Sequence, residues 1–327
     1  MSPFLTDTLG KFGQMGIALA AFAAVLLVVF FIGGRASGRL QNPVAGVVFL
    51  GPAVLLVTIG LVVPAVATTL ASFKNDNGKK FVGLSNYGWI FSTSDNRKVL
   101  ANTLLWIIVT PIAATALGLL LALLIDRMKR ESLPKSLIFM PMAISFVGAS
   151  IIWGLVYEYR DPAEQQVGLL SQVAMWLGVS EPPNWLLLQP WNNFFLMVIM
   201  VWIQVGFAMV VLSAAIKAIP TEVVEAATLD GATGMKLFRK VTIPMIRGTL
   251  VVVLTTIMIA VLKVFDIVRT MTNGNFGTQV VANEMYAQSF VQFDYGRGSA
   301  LAVVLFVAVI PLIVYNVIQL RKERATS

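Results

Sequence analysis

The sequence predicts an all-α polytopic membrane protein with seven transmembrane helices, and three observations lead to this fold class. Of its 327 residues, 57% are hydrophobic and 12% are charged, a balance far from that of a soluble domain. Seven apolar segments are long enough to cross the hydrocarbon core of a bilayer. The lysines and arginines lie mainly in alternate connections between these segments, which is the pattern that sets membrane orientation.

The predicted spans form an N-terminal helix followed by a six-helix core. Only Lys11 precedes the first apolar segment and Arg35 follows it directly, which makes a poor signal peptide, so we interpret it as a retained helix. We therefore expect an extra N-terminal transmembrane helix with a cytoplasmic link in residues 1–43, and the core in residues 44–327. The spans are placed near residues 16–34, 44–72, 99–125, 137–157, 194–217, 248–268 and 299–320.

The distribution of positive charge orients these spans. Of the 24 lysines and arginines, fourteen lie on the side that holds the connection 218–247 and the C-terminus, nine lie on the other side, and Lys263 falls within a span. The positive-inside rule then predicts a multi-pass plasma (inner) membrane protein with its N-terminus outside and its C-terminus in the cytoplasm. The net charge of +8 is explained by this topology and by membrane lipid, so no nucleic-acid partner is expected.

Two residue types are absent, and their absence excludes several kinds of chemistry. The chain has no cysteine and no histidine. Disulfides, thiol catalysis, zinc sites of the usual ligand type and histidine acid–base catalysis are therefore excluded, and we predict no catalytic residue and no metal site.

The connection 218–247 is a basic, amphipathic segment between two apolar spans, and its own helical periodicity predicts that it docks on a partner. Pro220 and Thr221 are interpreted as a stop and an N-cap, ahead of acidic residues in the first turns of a helix. Gly231 is suited to the left-handed conformation that ends a helix. A second short helix is expected to present Leu237, Phe238 and Val241 on one side and to close at Pro244.

This segment resembles the EAA loop of the membrane subunits of ABC importers. The family pattern is Glu-Ala-Ala, three residues, Gly, nine residues, Ile, one residue and Leu-Pro; here Val241 and Ile243 stand in place of the Ile and the Leu. An interfacial amphipathic helix without a partner is the alternative interpretation. The residues to which the resemblance assigns ATPase coupling are Glu225, Ala226, Ala227, Asp230, Gly231, Val241, Ile243 and Pro244.

Further segments are similar to those of carbohydrate ABC permeases, most of all the maltose and α-glucoside branch. The resemblance implies the six-helix type I importer core. The segments are Phe81–Tyr87 after the first core helix, Met140-Pro141 at the start of the third, the outer loop Gly168–Trp185, and Val264–Val268 with Met271–Thr278 at the outer end of the fifth.

The resemblance also implies the partners of the chain. They are a second permease subunit in a heterodimer, two ATPase subunits and an extracytoplasmic sugar-binding protein. The chain itself has no Gly-rich loop with P-loop spacing, so we expect it to bind no cofactor and to be no enzyme. ATP and Mg would be used by the partner ATPases.

Two residues of the fourth core helix are chemically suited to a sugar. The amide of Gln204 matches sugar hydroxyls, and the ring of Phe207 can stack on a pyranose. Trp202, Trp153 and Tyr157 are further stacking candidates, although aromatic residues in membrane helices often serve only for packing.

The fifth core helix supplies the other candidates for the substrate path. Counting back from its outer end, the contact positions of the family fall near Ile257 and Val261, which are apolar here. Lys263 and Asp266 are three residues apart, so they share one helical face and could pair, either in the path or as a structural ion pair at the outer gate or at a subunit contact.

Two other functional classes compete with an ABC importer subunit. An ion-coupled secondary transporter would act without ATPase subunits, but internal repeats and broken helices, which such carriers usually have, are not evident in the sequence. A membrane-embedded enzyme would need a cluster of acids, bases or metal ligands, and Lys263 with Asp266 is too little.

Overall fold

A computed structural model of the protein describes residues 41–161 and 164–326, together with residues 15, 16 and 20. These residues are largely helical and contain no β-strand, apart from one isolated antiparallel bridge between Lys74 and Phe81. The helices are α1 (Gln41–Val57), α2 (Val63–Ala71), α3 (Ser85–Ser92), α4 (Ser94–Ile125), α5 (Ser132–Phe139), α6 (Phe146–Val156), α7 (Leu169–Trp176), α8 (Asn192–Lys217), α9 (Thr221–Leu229), α10 (Gly234–Leu237), α11 (Ile243–Met245), α12 (Arg247–Leu262), α13 (Asp266–Met271), α14 (Val281–Tyr286) and α15 (Tyr295–Thr326).

Four to six of these elements qualify as membrane spans. Phe49–Ala71, α4, α8 and Tyr295–Ile318 are each long and apolar enough to cross a bilayer. Two bent pairs also qualify if each counts as one span: Ser132–Ala143 with α6, and Gly234–Met245 with α12. All six overlap the spans predicted for the core. The predicted N-terminal span, 16–34, lies outside the described residues except at positions 16 and 20.

The described chain divides near residue 67 into two compact units. The first contains α1, a π turn at Thr58–Val62 and the first part of α2. The second begins at Thr68 and contains all the helices from α3 onward. The second unit holds every candidate site residue, so the functional geometry lies within one unit.

The core of the second unit is built on α4 and α8, which cross at small residues. A Cβ on Gly118 of α4 would lie 2.5 Å from Cβ of Ala208 in α8. On another side of α8, a Cβ on Gly206 would lie 2.4 Å from the carbonyl oxygen of Ile138. Both glycines therefore permit backbone approach that no larger residue allows, as is typical of helix packing in membranes. The largest side chains buried around this crossing include Trp106, Leu196, Met200, Ile203, Leu212 and Ile257.

Two predicted spans are interrupted where the sequence suggested continuous helices. The segment 137–157 bends by 106° between Ala143 and α6, because Ile144 and Ser145 are extended. The Ser145 side chain then caps α6 by accepting a hydrogen bond from Gly148 N at 3.0 Å. In the segment 248–268 the helix ends at Leu262, and the three residues between it and α13 are not helical.

Each of two π turns is followed, two positions later in the sequence, by a proline. Thr58–Val62 is followed after one residue by Pro64, and Phe238–Thr242 is followed after one residue by Pro244. A proline cannot donate to the carbonyl four residues earlier, and its ring crowds that carbonyl. The preceding backbone accommodates this by a wider turn, in which Val63 N donates to Thr58 O and Ile243 N donates to Phe238 O.

Candidate coupling loop and substrate path

The first helix of the candidate coupling loop, residues 218–247, begins one residue earlier than the sequence indicated. Thr221 was expected as the N-cap, but it is the first helical residue, and Pro220 occupies the cap position without a side-chain hydrogen bond. The extended backbone of Pro220 (φ −56°, ψ 136°) ends the preceding connection, and its carbonyl accepts from Val223 N. Glu222 lies in the first turn, where the helix dipole favours an anion.

The end of α9 is closed by Gly231, which adopts φ +79° as predicted. Gly231 N donates to Thr228 O at 3.0 Å, and Ala232 N donates to Ala227 O at 2.9 Å. These two bonds are those of the Schellman motif, in which the residue after the C-cap is left-handed. A Cβ on Gly231 would meet no atom within 4 Å, so only the backbone angle requires glycine here.

The second half of the loop is amphipathic, but it ends later than expected. Leu237, Phe238 and Val241 are half-buried, as predicted. The charged residues around them are exposed, also as predicted: Lys236, Arg239 and Lys240. Pro244 does not close the segment, since it lies inside α11. The 70° bend comes at the buried Ile246, where the second half of the loop joins α12. The π turn explains the difference, because it lets the helical path continue past the proline.

Most of the residues assigned to coupling face away from the rest of the chain. Glu225, Ala226, Asp230, Gly231 and Pro244 are exposed, while Ala227, Val241 and Ile243 are half-buried. The apolar side chain of Leu229, at the tip of α9, is 89% exposed. A helix that leaves acidic and apolar groups uncovered together has a surface suited to docking on a partner.

A cavity of about 650 Å³ lies between the loop and the C-terminal halves of α4 and α8. Its walls are largely apolar and include Leu119, Leu123, Ile219, Val224 and Phe238. The two ends of the loop are continuous with α8 and, through Ile246, with α12.

Gln204 is a buried amide in the middle of α8. It is 9% exposed, and its side chain has no hydrogen-bond partner among the residues that the structure describes. Its amide atoms are not among the fully buried polar atoms that lack a partner, so they keep some surface open to a ligand. Phe207, three residues on, is half-buried beside the same hydrophobic core.

The candidates on the fifth core helix are placed differently from Gln204. Ile257 is 1% exposed and Val261 is fully buried, and both belong to the main hydrophobic core. In this conformation their side chains are covered by the chain itself. A role in the substrate path would require α12 to move away from its neighbours.

Lys263 and Asp266 do not form the ion pair that their spacing predicted. The helix breaks between them: Lys263 is the C-cap of α12, and Asp266 opens α13. Each charge therefore lies at the helix end whose dipole favours it, a cation at a C-terminus and an anion at an N-terminus. Lys263 borders an apolar groove of about 440 Å³ between α12, α14 and α15.

The aromatic candidates pack on one another. Trp153 lies 5.9 Å from Trp202 and 5.2 Å from Tyr157, measured between ring centroids. Tyr157 is buried and donates its hydroxyl hydrogen bond to the carbonyl of Phe195 at 2.9 Å. Trp153 and Tyr157 therefore pack against α8, which carries Trp202. Tyr157 has no free face for a sugar.

Three asparagines that the sequence did not single out fix the loop 272–279. Asn102 of α4 donates to Gly277 O at 2.7 Å and to Gln279 O at 2.9 Å. Asn192 and Asn193 of α8 donate to Phe276 O and Gly277 O at 2.8 and 3.2 Å. The sequence shows that these asparagines lie near the ends of two spans. It does not show that they bind the same loop, because that loop lies more than eighty residues away in sequence.

Comparison with known proteins places this geometry in a family. Residues 90–325 match the family described as binding-protein-dependent transport system inner membrane component. The chain is 48% identical to the alpha-glucoside transport system permease protein AglF of Rhizobium meliloti (strain 1021), over 87% of this chain and 85% of that one. It is 45% identical to the osmoprotective compounds uptake permease protein GgtC of Synechocystis sp. (strain ATCC 27184 / PCC 6803 / Kazusa), over 82% and 96%.

Solved structures show the same fold at lower identity. The chain superposes on a bacterial ABC transporter involved in the import of the acidic polysaccharide alginate with a TM-score of 0.73, at 20% identity, over 87% of this chain and 99% of that one. The alginate transporter in complex with a pentasaccharide-bound periplasmic protein gives 0.70 over 82% and 91%. The chain thus belongs to the family of binding-protein-dependent transport system inner membrane components, the permease subunits of ABC importers.

Proposed function

We propose that this chain is one transmembrane subunit of an ABC importer that moves a sugar, an α-glucoside such as maltose, maltodextrin or trehalose, into the cytoplasm by ATP-driven alternating access. The observation that carries the proposal is the loop 218–247, with its Schellman-capped helix and its exposed Glu225 and Leu229. A chain that worked alone would have no use for such a surface. The 48% identity to an alpha-glucoside permease supports the substrate class.

In this proposal the exposed face of the loop docks on an ATPase subunit. Glu225, Ala226, Asp230 and Gly231 provide the contact face, and the half-buried Val241 and Ile243 attach the loop to its own chain. Two ATPase subunits bind ATP and Mg, so this chain performs no chemistry of its own. A second permease completes a heterodimer, and an extracytoplasmic binding protein delivers the sugar.

The sugar path is proposed to pass Gln204 and Phe207. An unpartnered amide in the membrane is suited to sugar hydroxyls, and a half-buried ring beside it is suited to a pyranose face. Ile257, Val261, Lys263 and Asp266 would line the path only in a conformation that opens α12. The topology proposed with it has seven helices, the N-terminus outside and the C-terminus in the cytoplasm.

The test is purification of the chain with its co-expressed partners, followed by uptake assays in proteoliposomes. We expect two ATPase subunits to co-purify and labelled maltose or trehalose to accumulate only when ATP and the binding protein are supplied. Preference for a small osmoprotective glucoside over these sugars would overturn the substrate assignment. Transport by the chain alone, driven by an ion gradient, would overturn the importer itself.

A further inference from the structure

Five polar side chains form an ionic cluster where three helices meet at the end of the core next to the coupling loop. The cluster consists of Asp126, which follows α4, Glu131 and Lys135 at the start of α5, and Ser213 and Lys217 in the last turns of α8. Lys135 Nζ lies 2.6 Å from Asp126 Oδ1 and 3.0 Å from Glu131 Oε2.

Hydrogen bonds extend the cluster onto α8. Lys135 Nζ donates to Ser213 Oγ at 2.6 Å, and Ser213 Oγ donates to Asp126 Oδ1 at 2.7 Å. Lys217 Nζ donates to Glu131 Oε1. These contacts join residues more than seventy positions apart in sequence, so they fix tertiary and not local structure.

The central pair is shielded from water. The side chains of Asp126 and Lys135 are 13% and 19% exposed, whereas those of the pair Asp95 and Lys98 elsewhere in the chain are 84% and 77% exposed. Desolvation makes a buried ion pair a weak source of stability, but removal of one partner leaves the other charge uncompensated. Such a pair specifies an arrangement more than it strengthens the fold.

The cluster lies at the root of the coupling loop. Lys217 is the last residue of α8, and the loop follows directly. Because a cavity lies between the loop and α4, this root is one of the two ends at which the loop joins the helices of the core. Gln204 lies nine residues before Ser213 on the same helix, about 14 Å along the axis.

We propose that the ionic cluster is a positioning clamp that fastens the end of α8 to the corner between α4 and α5, so that movement of the coupling loop reaches the middle of α8 as a rigid-body motion. Lys135 is its central positioning residue, since it contacts the other two helices at once. This inference rests on the proposed importer function for its consequence and on the geometry alone for the clamp.

The functional test compares Lys135→Met with the conservative Lys135→Arg in the complete, reconstituted complex. Lys135→Met should lower sugar uptake per ATP hydrolysed by about tenfold, the size of a typical coupling between sites, and Lys135→Arg should recover most of it. Lys98→Met, which removes an exposed pair, is the matched control and should leave the ratio unchanged. A lower melting temperature of Lys135→Met with an unchanged ratio would overturn the proposal.

A distance measurement tests the clamp without relying on transport. The chain has no cysteine, so one cysteine at the exposed Met128 and one at the exposed Met235, outside the docking face proposed for the loop, can carry spin labels in the assembled complex. We expect a narrow distance distribution with Lys135 or Arg at position 135 and a broad one in Lys135→Met. Equal widths would overturn the clamp. A broadened distribution in a complex that moves no sugar would instead leave the clamp standing and contradict the importer function.

Discussion

Gln204 is 9% exposed and makes no side-chain hydrogen bond to the described residues, and its amide atoms are not fully buried. The sequence singled out Gln204 only for its chemistry. It is the one amide in the predicted span 194–217, apart from the predicted outer end of that span. The structure adds that the fold gives it no partner. Its assignment to the sugar path remains a prediction.

Changing Gln204 to Leu removes a donor and an acceptor at nearly constant volume. If these groups bond sugar hydroxyls, the loss should be about 0.5–1.5 kcal/mol, or about two- to ten-fold, and should appear mainly in the maximal uptake rate. Met200→Leu, one turn away and fully buried, is the control. An equal effect on every sugar, with a lower melting temperature, would show that Gln204 bonds a neighbouring helix instead.

Glu131 offers a test of residue-scale electrostatics outside the spans. Hydrogen bonds from Lys217, and then from Lys135, lower the pKa of its carboxyl from 4.5 to about 2. A pKa lowered by folding stabilises the protein above the unfolded value, and this stabilisation is lost as the pH falls toward 2.

The melting temperature of the solubilised complex should therefore differ between wild type and Glu131→Gln by a constant amount from pH 8 to pH 5. Below about pH 4.5 the difference should shrink, because the wild-type carboxyl then becomes protonated in the unfolded state and not yet in the folded state. A difference in melting temperature that grows on acidification would show that folding does not lower the pKa of this carboxyl.

At the scale of elements, the ends and breaks of helices account for most departures from the sequence prediction. The periodicity of α9 and the left-handed Gly231 were predictable from local rules. The split between Lys263 and Asp266 was not, because helical spacing alone takes no account of a break. Nor was the close approach at Gly118, which depends on a residue ninety positions away.

Gly231→Ala should weaken the cap of α9, because a left-handed conformation costs a residue with a Cβ roughly 1–2 kcal/mol. We expect reduced uptake with normal membrane insertion, and abolished uptake in Gly231→Pro and in Glu225→Lys. Gly88→Ala, which also meets no atom within 4 Å but lies in α3 at an ordinary backbone angle, is the control. Normal transport by Gly231→Pro and Glu225→Lys would contradict the assignment of these loop residues to ATPase coupling.

The crossing of α4 and α8 predicts a suppressor. Gly118→Ala places a Cβ 2.5 Å from Ala208 Cβ and should destabilise the complex by about 1–3 kcal/mol. Ala208→Gly removes that atom and should restore part of the loss, but not all, since Met209 N also lies at 2.8 Å. Additive melting-temperature effects of the two changes would show that the helices do not meet in this way.

For the whole molecule, hydropathy predicted the order of the spans, and all four to six candidate spans of the described residues were anticipated. The bends within two of them were not, since hydropathy is blind to backbone direction. Seven spans, the orientation of the termini and the division at residue 43 stay predictions. The family match begins only at residue 90, well inside the predicted core.

Deletion of residues 1–40 should accordingly leave an assembled, active complex, because the deleted residues precede every sequence landmark of the family. Uptake by the truncated chain in the reconstituted complex is the measurement. Complete loss of transport by a truncation that still inserts and still recruits its ATPases would show that the N-terminal segment belongs to the transport mechanism.

The π turn before Pro244 has a consequence for how this chain tolerates insertion and deletion. Such a turn contains one residue more than an α-helical turn of the same path. Removing a single residue between Phe238 and Thr242 would leave an ordinary α-helical turn on the same path, so the ring of Pro244 would again crowd the carbonyl four residues before it. The helix would then have to bend at this point, which would displace α9 although every residue of the loop's Glu-Ala-Ala helix would survive. The length of this segment should thus be under stricter selection than most of its side chains.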